Sequence, residues 1–139
     1  MQFTPYLSFQ GQCAEAMETY ARIFGGSLSI KRFSDAPHPE GAPPLPEEMK
    51  NWVMHSDLQL PDGSALLGAD MPPQFGGEPQ SGVSITVTLP DEKARETFEQ
   101  LASGGEVRMP FAATFFSTGF GMCKDRFGTT WMVITDERP

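Results

Sequence analysis

The chain has 139 residues, 39% of them hydrophobic, and a formal net charge of −8 from 18 acidic against 10 basic side chains. That apolar share supports one packed domain and excludes disorder, while the acid excess excludes binding modes that rest on neutralising phosphates of nucleic acid or anionic lipid. No apolar run approaches the roughly 20 residues that span a bilayer, and no basic-then-apolar leader opens the chain, so the expected address is cytoplasmic.

The first strand is read from Phe3 to Phe9, an apolar stretch ended by Gly11. From Gln12 the period becomes helical: Cys13, Ala16, Met17, Tyr20, Ile23 and Phe24 share one face, and Gly25 or Gly26 closes the helix. A strand resumes at Leu28-Ser29-Ile30. The run from Asp35 to Pro46 is too dense in proline for helix or central strand and reads as a loop, with His38 exposed to solvent in it. Two strands follow, Trp52 to Leu60 and Ala65 to Ala69, joined by the turn Pro61-Asp62-Gly63. The stretch 71–81, rich in Pro and Gly, is the natural hinge.

The same order then recurs. Strand Val83 to Leu89 leads into a helix over Asp91 to Ala102, with Asp91 as its N-cap and Ala94, Phe98 and Leu101 on its inner face. Gly104-Gly105 repeats the earlier glycine doublet, and a strand starts at Val107. The last strands are read as Thr114 to Lys124 and Thr130 to Thr135, around a hairpin at Asp125-Arg126-Phe127-Gly128, where Asp125 caps the turn with its own side chain. By alternation Phe116, Thr118, Phe120 and Met122 share one face, and Phe115, Ser117, Gly119 and Gly121 the other. One of these faces packs on a helix; the second, small and polar with one aromatic, is read as lining a cleft. The fold class is therefore α+β: duplicated βαβββ modules forming curved mixed sheets around a cleft. The whole chain, 1–139, counts as one domain, with module one over about 1–70 and module two over about 82–139.

The two cysteines, Cys13 and Cys123, make no disulfide framework and read as small buried residues. A nucleophilic thiol would need an adjacent base or cation, which the sequence does not reveal.

Several blocks carry a resemblance across nearly the whole chain. Tyr6-Leu7-Ser8-Phe9, the helix start from Cys13 to Tyr20, Phe24-Gly25-Gly26, Gly68-Ala69-Asp70-Met71-Pro72 and, most specifically, Gly119-Phe120-Gly121 with Asp125-Arg126-Phe127-Gly128 and Trp131-Met132 resemble the PhnB-like branch of the vicinal oxygen chelate superfamily. That superfamily includes glyoxalase I, the bleomycin-resistance proteins and the extradiol dioxygenases. The resemblance implies paired βαβββ modules and a divalent metal held by the first and last strands of each. Those positions fall within Thr4 to Phe9, Val83 to Thr88, Ser64 to Asp70 and Thr130 to Asp136, where only Asp70 and Asp136 can ligate. A catalytic metal needs about three protein ligands, so a divalent metal is conceivable but its ligand set is incomplete, and no cofactor is expected.

His55 is the leading single candidate, as an acid or base near neutral pH or as a ligand together with Asp70; the plainer alternative is a strand histidine bonded to a neighbour. With strands of both modules lining the site, the candidate set is His55 and Asp70 for chemistry and Tyr6, Ser8, Thr86, Phe115 and Trp131 for substrate contact. The reading is a small-molecule-binding protein of the glyoxalase type with its reaction open; the classes within it are a metal-dependent lyase or dioxygenase, a metal-free enzyme acting through His55 and a carboxylate, and a drug- or metabolite-sequestering protein like the bleomycin-resistance branch. Methyl transfer is disfavoured, because no glycine-rich turn opens a helix as nucleotide-type cofactors require. Unpaired strand edges point to a homodimer.

Overall fold

The computed structural model describes residues 1–37, 40–41 and 44–136; His38 lies outside them. Among the described residues are eight strands and two α-helices, and the chain divides into two compact units, Met1–Pro79 and Gln80–Pro139. The division falls inside the segment 71–81 read as the connection between repeats. None of the helices described is long and apolar enough to cross a membrane.

In the first unit the order is β1 (Tyr6–Phe9), α1 (Cys13–Phe24), β2 (Ser27–Arg32), β3 (Val53–Gln59) and β4 (Ala65–Asp70), and the sheet runs β1-β4-β3-β2 with β1 parallel to β4. In the second, β5 (Ser84–Leu89), α2 (Asp91–Ala102), β6 (Glu106–Ala112), β7 (Phe120–Lys124) and β8 (Thr130–Thr135) give the order β5-β8-β7-β6, with β5 parallel to β8. The duplicated βαβββ reading thus holds strand for strand. Each helix packs on one face of its own sheet and leaves the opposite face free of that helix.

The glycine doublets mark the repeat at atomic detail. A Cβ on Gly26 would stand 2.3 Å from the Gln59 carbonyl oxygen, at the end of β3. A Cβ on Gly105 would stand 2.2 Å from the Lys124 carbonyl oxygen, at the end of β7. Both doublets exist because the chain leaving the helix must pass backbone against backbone, a contact only glycine permits.

Several details differ from the sequence reading. The first strand starts at Tyr6, since Pro5 has no N–H for the ladder and Phe3 is 92% exposed. Val83, 77% exposed, precedes β5. Asp91 opens the first turn of α2 after Pro90 and makes no cap; its carboxylate instead accepts a hydrogen bond from the Thr118 hydroxyl at 2.6 Å. Residues 114–119 form a loop rather than strand, because their hydroxyls capture backbone groups a ladder would need: Ser117 Oγ donates to the Gly119 carbonyl at 2.8 Å, and Thr114 Oγ1 accepts from the Phe116 N–H at 3.3 Å.

The assignment of faces around β7 is also reversed. A Cβ on Gly121 would stand 2.8 Å from the Phe98 ring, so the small residues sit under α2 and admit its aromatic side chain. Phe120 and Met122 are the residues turned to the helix-free face. Asp125 does cap its hairpin, accepting the N–H groups of Phe127 and Thr129, each at 2.9 Å.

Candidate functional site

On the helix-free face of the first sheet, β1 and β3 bring Tyr6 and His55 together across the intervening β4. The Tyr6 hydroxyl lies 2.9 Å from His55 Nδ1, and the rings are tilted by 38° with centroids 5.7 Å apart. The pair forms because Tyr6 is two residues before Ser8 on one side of β1, while His55 and Asp57 occupy the same side of β3. Burial pushes the Tyr6 phenol above its ordinary value of 10.0, with the Cys13 thiol a lesser contributor, so it is protonated at neutral pH. Either atom can be the donor, depending on the imidazole tautomer; a Tyr6 O–H donated to Nδ1 leaves the ring N–H on Nε2.

Ser8 pairs with Ala69, and Lys31 stands directly across from His55 on β2. Asp57 lies on the same face, its carboxylate accepting from Gln59 Nε2 at 2.6 Å. Lys31 and Asp57 were not among the residues singled out from the sequence. Alternation gives their face only once the register of β2 against β3 is known.

Asp70 is not a partner of His55. It belongs to the helix side of the sheet, is 2% exposed, and spends both oxygens on backbone. Oδ1 accepts from the N–H groups of Gly11 at 2.7 Å and Cys13 at 3.0 Å, and Oδ2 from the N–H of Val53 at 2.9 Å. A carboxylate at the start of α1 is where the helix dipole favours it. The aspartate thus ties strand, helix and the β3 entry together. Parity along β3 and β4 separates the two side chains: His55 falls beside Ala69, so Asp70, one residue further, points to the opposite face.

Trp131 is likewise structural in its contacts. It is 1% exposed on the helix side of β8 and donates its indole N–H to Asp125 Oδ2 at 2.8 Å. Thr86 does face the helix-free side of the second sheet, where the ladder runs Met109, Met122, Met132, Thr86 across four strands; its hydroxyl approaches the Met132 sulfur at 3.9 Å. Phe115 is 94% exposed in the loop before β7, edge-on to Phe116, which is edge-on to Phe120. The predicted set is therefore split. Tyr6, Ser8 and His55 share one face, Thr86 sits on the corresponding face of the other module, and Asp70 and Trp131 lie beneath the helices.

The two thiols are buried and unpaired by any disulfide. Burial raises Cys13 from 9.0 to about 12, aided by Asp70 and opposed by the Ser56 hydroxyl, and burial with Asp125 raises Cys123 to about 11. Neither is a nucleophile near neutral pH.

The residues present do not fit the metal centre that the resemblance implies. Among the described residues no three His, Cys, Asp or Glu side chains gather into a ligand set. The helix-free positions of β1 and β5 carry Tyr6, Ser8, Thr86 and Thr88, and the carboxylate of Asp70 is already taken by three backbone donors.

Comparison with known proteins bears on family and fold. A family described as 3-demethylubiquinone-9 3-methyltransferase matches residues 1–134. The chain is 31% identical to Protein YjdN of Escherichia coli, over 100% of this chain and 99% of that one. A crystal structure of protein PA1353 from Pseudomonas aeruginosa superposes with a TM-score of 0.87 at 36% identity, covering 100% and 99% of the two chains. A PhnB protein from Bacillus cereus, described as a putative 3-demethylubiquinone-9 3-methyltransferase, gives 0.73 at 25% identity, covering 97% and 99%. At the level of fold alone, a glyoxalase/bleomycin resistance protein/dioxygenase superfamily member from Sphaerobacter thermophilus gives 0.56 at 13% identity, covering 98% of each.

Proposed function

Because this chain belongs to the 3-demethylubiquinone-9 3-methyltransferase family, a PhnB-like branch of the glyoxalase/bleomycin resistance/dioxygenase superfamily, we propose that it is a small-molecule-binding protein of the glyoxalase type. The observation that carries the reading is the Tyr6–His55 hydrogen bond on the sheet face opposite α1. Polar side chains held in one geometry on such a face are what a ligand site requires, and an imidazole oriented by a phenol can also pass a proton. Asp70 has no part in this chemistry.

Methyl transfer, the activity in the family's descriptive name, draws no support from the helix starts. The first N–H groups around α1 are filled by Asp70, and α2 opens on Pro90, Asp91 and Glu92, a proline and two carboxylates where an anionic cofactor group would seek donors.

A second reading, capture of a planar apolar compound without turnover, is favoured by the second sheet. Its row of Met109, Met122 and Met132, bordered by Phe120, is an adaptable apolar surface. We further propose a homodimer, since β1, β2, β5 and β6 are outermost in their sheets and offer edges for pairing. Sedimentation at micromolar concentration tests it, and a monomeric mass refutes it.

The functional experiment is a thermal-shift screen of small metabolites, repeated on His55→Ala and Tyr6→Phe. Ligands that raise the melting temperature of the native chain should lose that effect in His55→Ala. Stabilisation that survives His55→Ala unchanged would remove the first sheet's face from the site.

A further inference from the structure

We propose that the helix-free face of the first sheet binds a small oxyanion, a carboxylate or a phosphoryl-type group, through Lys31, His55 and Ser8. The inference rests on the reading of this face as the ligand site and goes on to name what it recognises.

Three observations converge. The first is donor placement. Lys31 is the direct cross-strand partner of His55, and opposed residues in an antiparallel pair have Cβ atoms about 5 Å apart on the same face. The four-carbon stem of lysine reaches over that distance easily. The second is charge. Among the described residues Lys31 is exposed and enters no ion pair, while the neighbouring carboxylate on this face, Asp57, is engaged by Gln59. Lys31 is therefore a positive charge without a partner among the described residues, beside an Asp57 whose own charge the neutral Gln59 amide leaves uncancelled. The third is the tautomer. With the Tyr6 hydroxyl as donor to Nδ1, one of the two directions the 2.9 Å contact allows, Nε2 of His55 is left as an N–H donor. Tyr6 is in this sense a positioning residue and need not touch the ligand. Ser8, two residues beyond Tyr6 on the same side of β1, adds a hydroxyl.

Together these provide an ammonium, an imidazole N–H and a hydroxyl, all donors, for an acceptor-only ligand. Charge-assisted hydrogen bonds to carboxylate or phosphate oxygens are the stronger kind, which allows a site on a half-open face to hold a small anion. The overall charge of −8 disfavours approach of anions from a distance, so specificity must come from these local donors rather than from the field of the whole chain.

Acetate and inorganic phosphate serve as probes, each titrated at constant ionic strength against a chloride control while the His55 imidazole ¹⁵N and ¹H shifts are followed by NMR. The expected result is a saturable His55 shift with at least one of the two, at a dissociation constant on the order of millimolar, and none with chloride. Preference for acetate assigns a carboxylate, and preference for phosphate a phosphoryl group. Lys31→Gln, a change at an exposed position, should weaken binding about tenfold or more at an unchanged melting temperature. Tyr6→Phe should alter the imidazole tautomer signature as well as affinity, which a merely structural tyrosine would not do. Shifts that track ionic strength alone, or an affinity unmoved by Lys31→Gln, would overturn the proposal. A neutral ligand whose binding needs His55 but ignores Lys31 would overturn it too, while leaving small-molecule binding at this face intact.

Discussion

The two modules repeat one backbone and part company on one face. Phe9 and Leu89 close their parallel pairings alike, accepting the N–H groups of Met71 at 2.8 Å and Asp136 at 3.1 Å, which aligns Asp70 with Thr135. At that shared position module one uses a buried carboxylate for three backbone donors, and module two uses a hydroxyl bonded to Ser117, Thr118 and the Gly119 N–H at 2.7, 2.7 and 3.0 Å. Different atoms solve the same problem there. On the helix-free faces the aligned positions hold different chemistry altogether: Tyr6 against Thr86, His55 against Phe120, and Asp57 against Met122. One module offers donors and charge, the other methionine and aromatic surface. A scaffold that must satisfy its own backbone constrains the helix side, whereas the free side is open to whatever a ligand demands.

The largest effect should come from breaking the position the modules share. Asp70→Ala strands three backbone N–H groups and is expected to cost roughly 3–4 kcal/mol in urea unfolding, against roughly 1–2 kcal/mol for Thr135→Val, whose hydroxyl neighbours can bond one another. Equal losses would show that the carboxylate is not the firmer of the two ties. Next come the glycine doublets: Gly26→Ala and Gly105→Ala should each destabilise by about 2 kcal/mol or more, since both push a Cβ into a carbonyl, with Gly26→Ala the worse because its φ is +98°. A tolerated Gly105→Ala would break the structural equivalence of the two.

The free faces should behave oppositely. His55→Ala and Phe120→Ala are expected to abolish binding of different ligands, the first of polar and the second of apolar ones, with stability changes of about 1 kcal/mol or less for His55. A large stability loss on His55→Ala, with ligand binding retained, would make it a structural histidine instead.

The thiols give the smallest effect at neutral pH. Folding raises Cys13 from 9.0 to about 12 and Cys123 from 9.0 to about 11, so the unfolded chain releases these protons first. Their contribution to stability is full below pH 9 and is lost as pH climbs toward 11 and then 12. Native protein should resist alkylation at pH 8, and urea midpoints should fall between pH 9 and 11, less so in Cys13→Ala. Rapid labelling of the native chain would contradict the burial of both.

Much of this molecule was legible from its residues. The repeat, the eight strands and two helices, the span of α2 and the turn role of Asp125 follow from period and punctuation: alternation, helical spacing, and the few residues that can turn a chain. The misreadings also have a physical source. Phe115 to Gly119 alternate like a strand, yet Ser117 and Thr114 bind nearby backbone and keep it a loop. Gly121 looked like cleft lining because small residues suit ligands, but they equally suit an aromatic ring from a helix, and Phe98 takes that space. Asp70 looked chemical because a carboxylate near a histidine can share a proton. Local pattern determines which residues lie on the same side of one strand; only the pairing of strands decides which side faces the helix and which faces neighbours on other strands. That is why the sequence by itself could name Tyr6 and His55, and only the tertiary structure joined them to each other, added Lys31, and gave Asp70 to the backbone.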